Sequence, residues 1–145
     1  MAYVEKRWYI AQTDFISQLA PPVREELFSL GKSQRYKKHD LIFQAGSPGD
    51  NVYLLASGRA KIYQLSPTGK EVIMWFCFPG ELFGMAEVCR RGRREVYARA
   101  CSQSEIVRIS QERFKAFLHQ HPDAAMLTVD ILSCRLRILG DMLLN

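Results

Sequence analysis

From Gln34 to about Ile109 the chain keeps one texture: short apolar or alternating runs, cut at nearly even spacing by turn residues. The runs are Leu41–Phe43, Asn51–Ala56, Ala60–Leu65, Val72–Phe78, Val96–Cys101 and Glu105–Ile109. Ser57-Gly58 separates two of them, and Ser66-Pro67-Thr68-Gly69 is a strong turn between two others, because glycine and proline supply the backbone angles a reversal needs. Many short strands at this spacing imply a sandwich or jelly roll. Val72–Phe78 is apolar throughout, which predicts a strand covered on both faces. No long internal repeat is present.

The flanks read differently. Residues 14–31 are helical in pattern, with Asp14 placed to cap a short turn that holds Phe15, Ile16 and Leu19. Pro21 and Pro22 suit the first turn of a second helix, where the missing N–H costs nothing, and Val23, Leu27 and Leu30 fall on one face before Gly31. Gln111–His119 is a further helix, and Pro122 opens another. In that last segment Ala125, Val129, Leu132, Leu136, Leu139 and Leu143 are spaced alternately four and three apart, the a/d seam of a helix that pairs with a partner. A second copy of the chain is the expected partner; the plainer alternative is packing on the chain's own sheet. The organisation expected is an N-terminal tail (1–13), a β-roll domain with its helices (14–122) and a dimerisation helix (123–145). The seam runs on to Asn145, which suggests a longer protein in which further sequence follows.

The 145 residues suit one domain, and 48% hydrophobic with 24% charged residues is enough to bury a core. No apolar run approaches the roughly 20 residues of a membrane helix, and Met1–Tyr9 has no apolar signal core, so a cytoplasmic location is expected. The net charge of +5 permits an acidic partner without selecting one. Cys77, Cys89, Cys101 and Cys134 contain no C-x-x-C pair, which excludes a zinc ribbon or a thioredoxin motif and leaves reduced, mostly buried thiols.

Residues 78–100, FPGELFGMAEVCRRGRREVYARA, are the most informative stretch. Gly80 and Gly84 bracket Leu82 and Phe83, and Arg90, Arg91, Arg93 and Arg94 crowd around Gly92 before a strand. Glycine lets backbone approach an anion, exposed amides point at it, and an arginine adds a charge-assisted fork. The competing reading is a solvated basic loop. Enzyme signatures are missing: there is no P-loop, nucleophile elbow or paired-carboxylate arrangement, and the one His-x-His pair, His119 and His121, lies in a helical region. No catalytic or metal-binding residues are expected.

The pieces AGSPGDNVYLLASGRAKIY, PGELFG, REVYARA, IVRIS and SCRLRILGDML, in this order over roughly residues 15–145, resemble the cyclic-nucleotide-binding domain family, and more narrowly the effector domains of CRP/FNR transcription regulators. The resemblance implies a mainly β fold with flanking helices: a double-stranded β-helix (jelly roll) followed by a long C-terminal dimerisation helix. It also implies ligand sensing in the roll, a homodimer, and DNA contact only through a helix-turn-helix domain beyond this chain. The family's cassette has a glycine followed by glutamate and, about ten residues on, an arginine followed by a small residue. Matching Gly80-Glu81 with Arg90 leaves the next strand four residues out of step. Matching Gly84 with Arg94 brings Val96, Ala98, Arg99 and Ala100 into place and makes Gly80-Glu81 the turn before. The implied ligand-binding set is then Phe83, Gly84, Met85, Ala86, Arg93, Arg94, Glu95, Val96 and, on the last helix, Arg135; the implied dimer interface is Val129, Leu132, Leu136, Leu139 and Leu143.

This register carries departures. Met85 stands where a glutamate would hold a ribose hydroxyl, and a thioether is a poor substitute. Glu95 stands where a small residue would face the phosphate. Leu139 and Gly140 replace hydroxyl-bearing positions that hold the base. These count against cAMP or cGMP and favour another small anion or organic acid at Arg93 or Arg94. Iron–sulfur relatives carry cysteines near the N-terminus, whereas none precedes Cys77; for haem, His39, His119 and His121 all lie outside the cassette. A thiol switch would use Cys77, Cys89 and Cys101, spaced by twelve. Remaining alternatives are a stand-alone regulatory module or a dimeric scaffold that binds nothing small.

Overall fold

A computed structural model describes residues 14–85 and 92–144. The 3₁₀ turn Ile16–Gln18 is followed by α1 (Pro21–Ser29), eight strands, α2 (Gln111–Gln120) and α3 (Pro122–Leu144). The strands are β1 (Lys32–Tyr36), β2 (Leu41–Phe43), β3 (Asn51–Ser57), β4 (Ala60–Leu65), β5 (Glu71–Cys77), β6 (Leu82–Phe83), β7 (Tyr97–Ala100) and β8 (Ser104–Ser110). They form two antiparallel sheets of four, in the orders β1-β8-β3-β6 and β2-β7-β4-β5. The chain crosses repeatedly between the sheets, as a jelly roll requires.

Each sheet-forming run now has its reason. β3 and β8 lie in the middle of the first sheet and bury both faces. Val52, Leu54, Val107 and Ile109 pack outward on Phe15, Leu19, Leu27, Phe114, Phe117, Ala124 and Ile131, while Leu55 and Ile106 point inward to Phe43, Ile62, Phe83 and Ala98. The molecule therefore has two cores, one between the first sheet and the helices, the other between the two sheets.

The helix signals hold. Ser17 N–H donates to Asp14 Oδ1 at 3.1 Å, capping the first turn, and Pro21 sits at the first position of α1. Ser110 Oγ accepts from Arg113 N–H at the start of α2. Gly31 has a reason other than ending a helix: a Cβ there would lie 2.5 Å from the Arg108 carbonyl oxygen, so α1 can pass β8 only without a side chain.

Two strands differ from expectation in kind. β1 is polar, KSQRY, and is made by pairing with β8 rather than by its own pattern. β6 is two residues long and pairs with β3 through Tyr53↔Phe83 and Leu54↔Leu82. The run Val72–Phe78 corrects the sequence reading: it is not covered on both faces. β5 is the outermost strand of its sheet, and Val72, Ile73 and Phe76 are exposed, with only Cys77 fully buried. An apolar run records hydrophobicity without recording what covers it.

Candidate ligand and dimer sites

The segment after the undescribed residues 86–91 is sewn to the turn before β3. Arg94 N–H donates to the Ser47 carbonyl and its own carbonyl accepts from Gly46 N–H, both at 2.8 Å, and Gly49 N–H donates to the Gly92 carbonyl. A bridge pairs Pro48 with Arg93. Extended backbone alternates its side chains. Arg93 therefore faces out and donates to the Gly46 carbonyl at 2.8 Å, Arg94 turns in, and Glu95 is exposed. The carboxylate of Glu95 thus does not face into the roll.

Arg94 is 4% exposed, and its guanidinium is used by the protein itself. Nη1 donates to the Gly84 carbonyl at 2.8 Å and Nη2 donates to the Asn51 carbonyl. The guanidinium carbon lies 4.2 Å from the Phe43 ring centroid and 5.8 Å from that of Tyr53. Tyr53 and Phe83 stack at 5.3 Å, with Phe43 5.5 Å from Tyr53, so three rings fill this end of the roll. Gly84 sits at φ +77°, and a Cβ would be 3.0 Å from Arg94 Nη1 and 3.1 Å from Tyr53. Burial raises the Tyr53 hydroxyl above its usual range, with Arg94 opposing the rise.

Arg135 reaches the same segment from α3. It is 8% exposed, its Nη2 donates to the Leu82 carbonyl, and its guanidinium lies 5.7 Å from the Trp75 ring. Glu81 is also buried, accepting from Phe78 N–H at 2.6 Å and closing the turn at Gly80. Of the residues expected to bind a ligand, Phe83, Gly84, Arg94 and Arg135 thus meet around residues 82–84. Val96 packs on the core between the sheets and Met85 on the helical one, Arg93 and Glu95 face solvent, and Ala86 lies outside the described residues. Asn51, Phe43, Tyr53 and Trp75 also belong to this neighbourhood; the three rings come from three different strands and Asn51 takes part through its backbone carbonyl, so no local sequence pattern marks them. In this arrangement Arg94 is engaged by two carbonyls, aromatic rings lie against its guanidinium, and Met85 packs on the helical core.

Among the described residues, the cysteines and histidines are spread over several elements. Burial pushes the Cys77 thiol up to about 12, and Cys101 is raised by the same cause, so thiolate is scarce at both. Cys89 lies outside the described residues. His39 occupies the turn between β1 and β2, at φ 77°. His121 pairs with Glu26 of α1, and His119 is exposed. Among the described residues, no group of three or more His, Cys, Asp or Glu side chains is placed to hold a metal, and no helix is long and apolar enough to cross a membrane. A cleft of about 560 Å³ lies between the 3₁₀ turn, α1 and the junction of α2 with α3, lined by Leu19, Val23, His121, Asp123 and Asp130 among others; among the described residues, none of 83–85 or 92–96 lines it.

Helix α3 has two apolar faces. Ala124, Thr128, Ile131, Cys134 and Arg135 are buried against the domain. Val129, Leu132, Leu136 and Leu143 are exposed, Leu136 at 71% and Leu143 at 88%, and Leu139 is half-buried.

Two antiparallel sheets closed into a roll, with flanking helices and a long C-terminal helix, define a class of β-roll domains. The chain belongs to the cyclic nucleotide-binding domain family, whose model matches residues 33–121. Among its relatives is the Cyclic AMP receptor protein of Thermus thermophilus, 29% identical over 119 residues, which cover 82% of this chain and 55% of that protein. The solved Catabolite Activator Protein of Thermus thermophilus superposes with a TM-score of 0.78 at 28% identity, covering 90% of this chain and 61% of the other. The sensor domain of the transcriptional regulator DNR from Pseudomonas aeruginosa gives a TM-score of 0.70 at 25% identity, covering 97% of this chain and 95% of that one. The chain spans about half the length of the relative it matches in sequence.

Proposed function

We propose that this chain is the effector-sensing and dimerising part of a CRP/FNR-type transcription regulator. The roll (34–109) takes a small anionic effector at the Gly84–Arg94 cassette, the 123–145 helix pairs with its copy, and DNA is read by a domain beyond this chain. The observation that carries the reading is the double-faced α3: one face is held on the roll through Ile131 and Arg135, and the other presents an uncovered apolar stripe. A helix that touches both the sensing segment and a partner converts occupancy into geometry. Sedimentation of the chain tests the first half of the reading: a dimer is expected, and a monomer at micromolar concentration overturns it.

The effector is an anion other than a cyclic nucleotide, because a buried polar site loses about 1–3 kcal/mol for each partner left unpaired and the Met85 thioether is a poor partner for a ribose hydroxyl. Titration with cAMP and cGMP, preceded by a visible spectrum, is expected to show no micromolar binding and a colourless protein. Tight binding of either nucleotide, or a Soret band, reverses this assignment. A second reading has its own support: with Arg94 spent on the Gly84 and Asn51 carbonyls, the domain serves as a dimeric scaffold that needs no effector.

A further inference from the structure

We infer that residues 82–84 form a relay between the interior of the roll and the long helix, gripped at its two ends by two arginines from different elements. β6 is bonded to β3 on one side, since Leu55 N–H donates to the Glu81 carbonyl at 3.0 Å. Strand alternation turns the next carbonyl, that of Leu82, away from β3, and Arg135 of α3 caps it. Two residues on, the Gly84 carbonyl is capped by Arg94. Between them Phe83 is fully buried and stacked on Tyr53 at 5.3 Å. A three-residue segment so held moves as a piece: packed interiors have discrete arrangements rather than a continuous range. Drawing Arg94 off Gly84 displaces Phe83 and the Leu82 carbonyl, and with it the Arg135 guanidinium that lies against Trp75.

Trp75 makes this measurable. The chain has two tryptophans, so Trp8→Phe leaves Trp75 as the sole emitter. The bonds and ring contacts of Arg94 described above, to Gly84, Asn51, Phe43 and Tyr53, lie at the Gly84 end. The experiment is a double-mutant cycle in the Trp8→Phe background, with Arg94→Met and Arg135→Met singly and together, read as Trp75 emission and its quenching by acrylamide. The relay requires that Arg94→Met alone red-shift the emission and increase quenching, and that it add nothing once Arg135→Met is present. An unmoved Trp75 in Arg94→Met, or the same added change with and without Arg135, overturns it. Thermal transitions establish that each variant is folded. Where a methionine variant is not, Arg94→Lys and Arg135→Lys repeat the cycle with charge retained and the two-pronged geometry lost, judged by the same two outcomes. No effector enters the experiment, so its failure and failure of the sensing proposal are distinguishable.

Discussion

Helix α3 and strand β5 both carry apolar residues on two sides, and in each only one side is covered. On α3, Ile131 is fully buried while Leu136, five residues on, is 71% exposed. On β5, Cys77 is fully buried while the adjacent Phe76 is 42% exposed. The four residues are alike in hydrophobicity, so composition does not separate them; position on the element does. The covered sides belong to the domain's own stability, and the open sides leave apolar surface exposed.

That comparison breaks most sharply at Ile131. Ile131→Ala deletes packing on Leu27, Phe114 and Phe117 within one core cluster and should lower stability by about 2–5 kcal/mol, read from urea unfolding; a loss below about 1 kcal/mol would mean that α3 contributes little to this core. Next is the open side. Under the proposed pairing, Leu136→Asp with Leu139→Asp places charges in the seam and should give a monomer in sedimentation where the parent chain gives a dimer, with the far-UV spectrum of the fold retained. A persistent dimer would locate the contact elsewhere. The smallest effect at neutral pH is at Cys77. Its thiol ionises near 9 when unfolded and about 12 when folded, so between these values the unfolded chain binds fewer protons and stability falls as pH rises. Cys77→Ala should flatten that slope; an unchanged slope would assign it to other groups.

The β-roll was legible because β2, β3, β4, β7 and β8 announce themselves by apolar runs ended by turn residues, and α3 by its seam. What escaped was made by tertiary contact. β1 carries no apolar alternation and exists because β8 offers it a ladder, and β6 is too short to show a period. The covering of β5 was misread because a run of Val, Ile, Met, Trp and Phe looks the same at the middle of a sheet and at its edge. In the site, the register named Gly84 and Arg94, which the structure joins by a hydrogen bond, but a guanidinium bonded to backbone carbonyls leaves no mark in sequence. Nothing in the letters distinguishes the Gly84 and Asn51 carbonyls from any others as the partners of Arg94.

Two of the four outer strands, β1 and β5, also set how the molecule behaves in a concentrated solution. β1 ends its sheet with Lys32 and Arg35, charges that discourage a neighbouring chain from adding a strand there. β5 ends the other sheet with seven residues that include no proline and one charge, Glu71. Such an edge is a template for cross-strand aggregation. A lysine introduced at Ile73, which is exposed on this edge strand, is therefore the place to protect the chain against such pairing during purification.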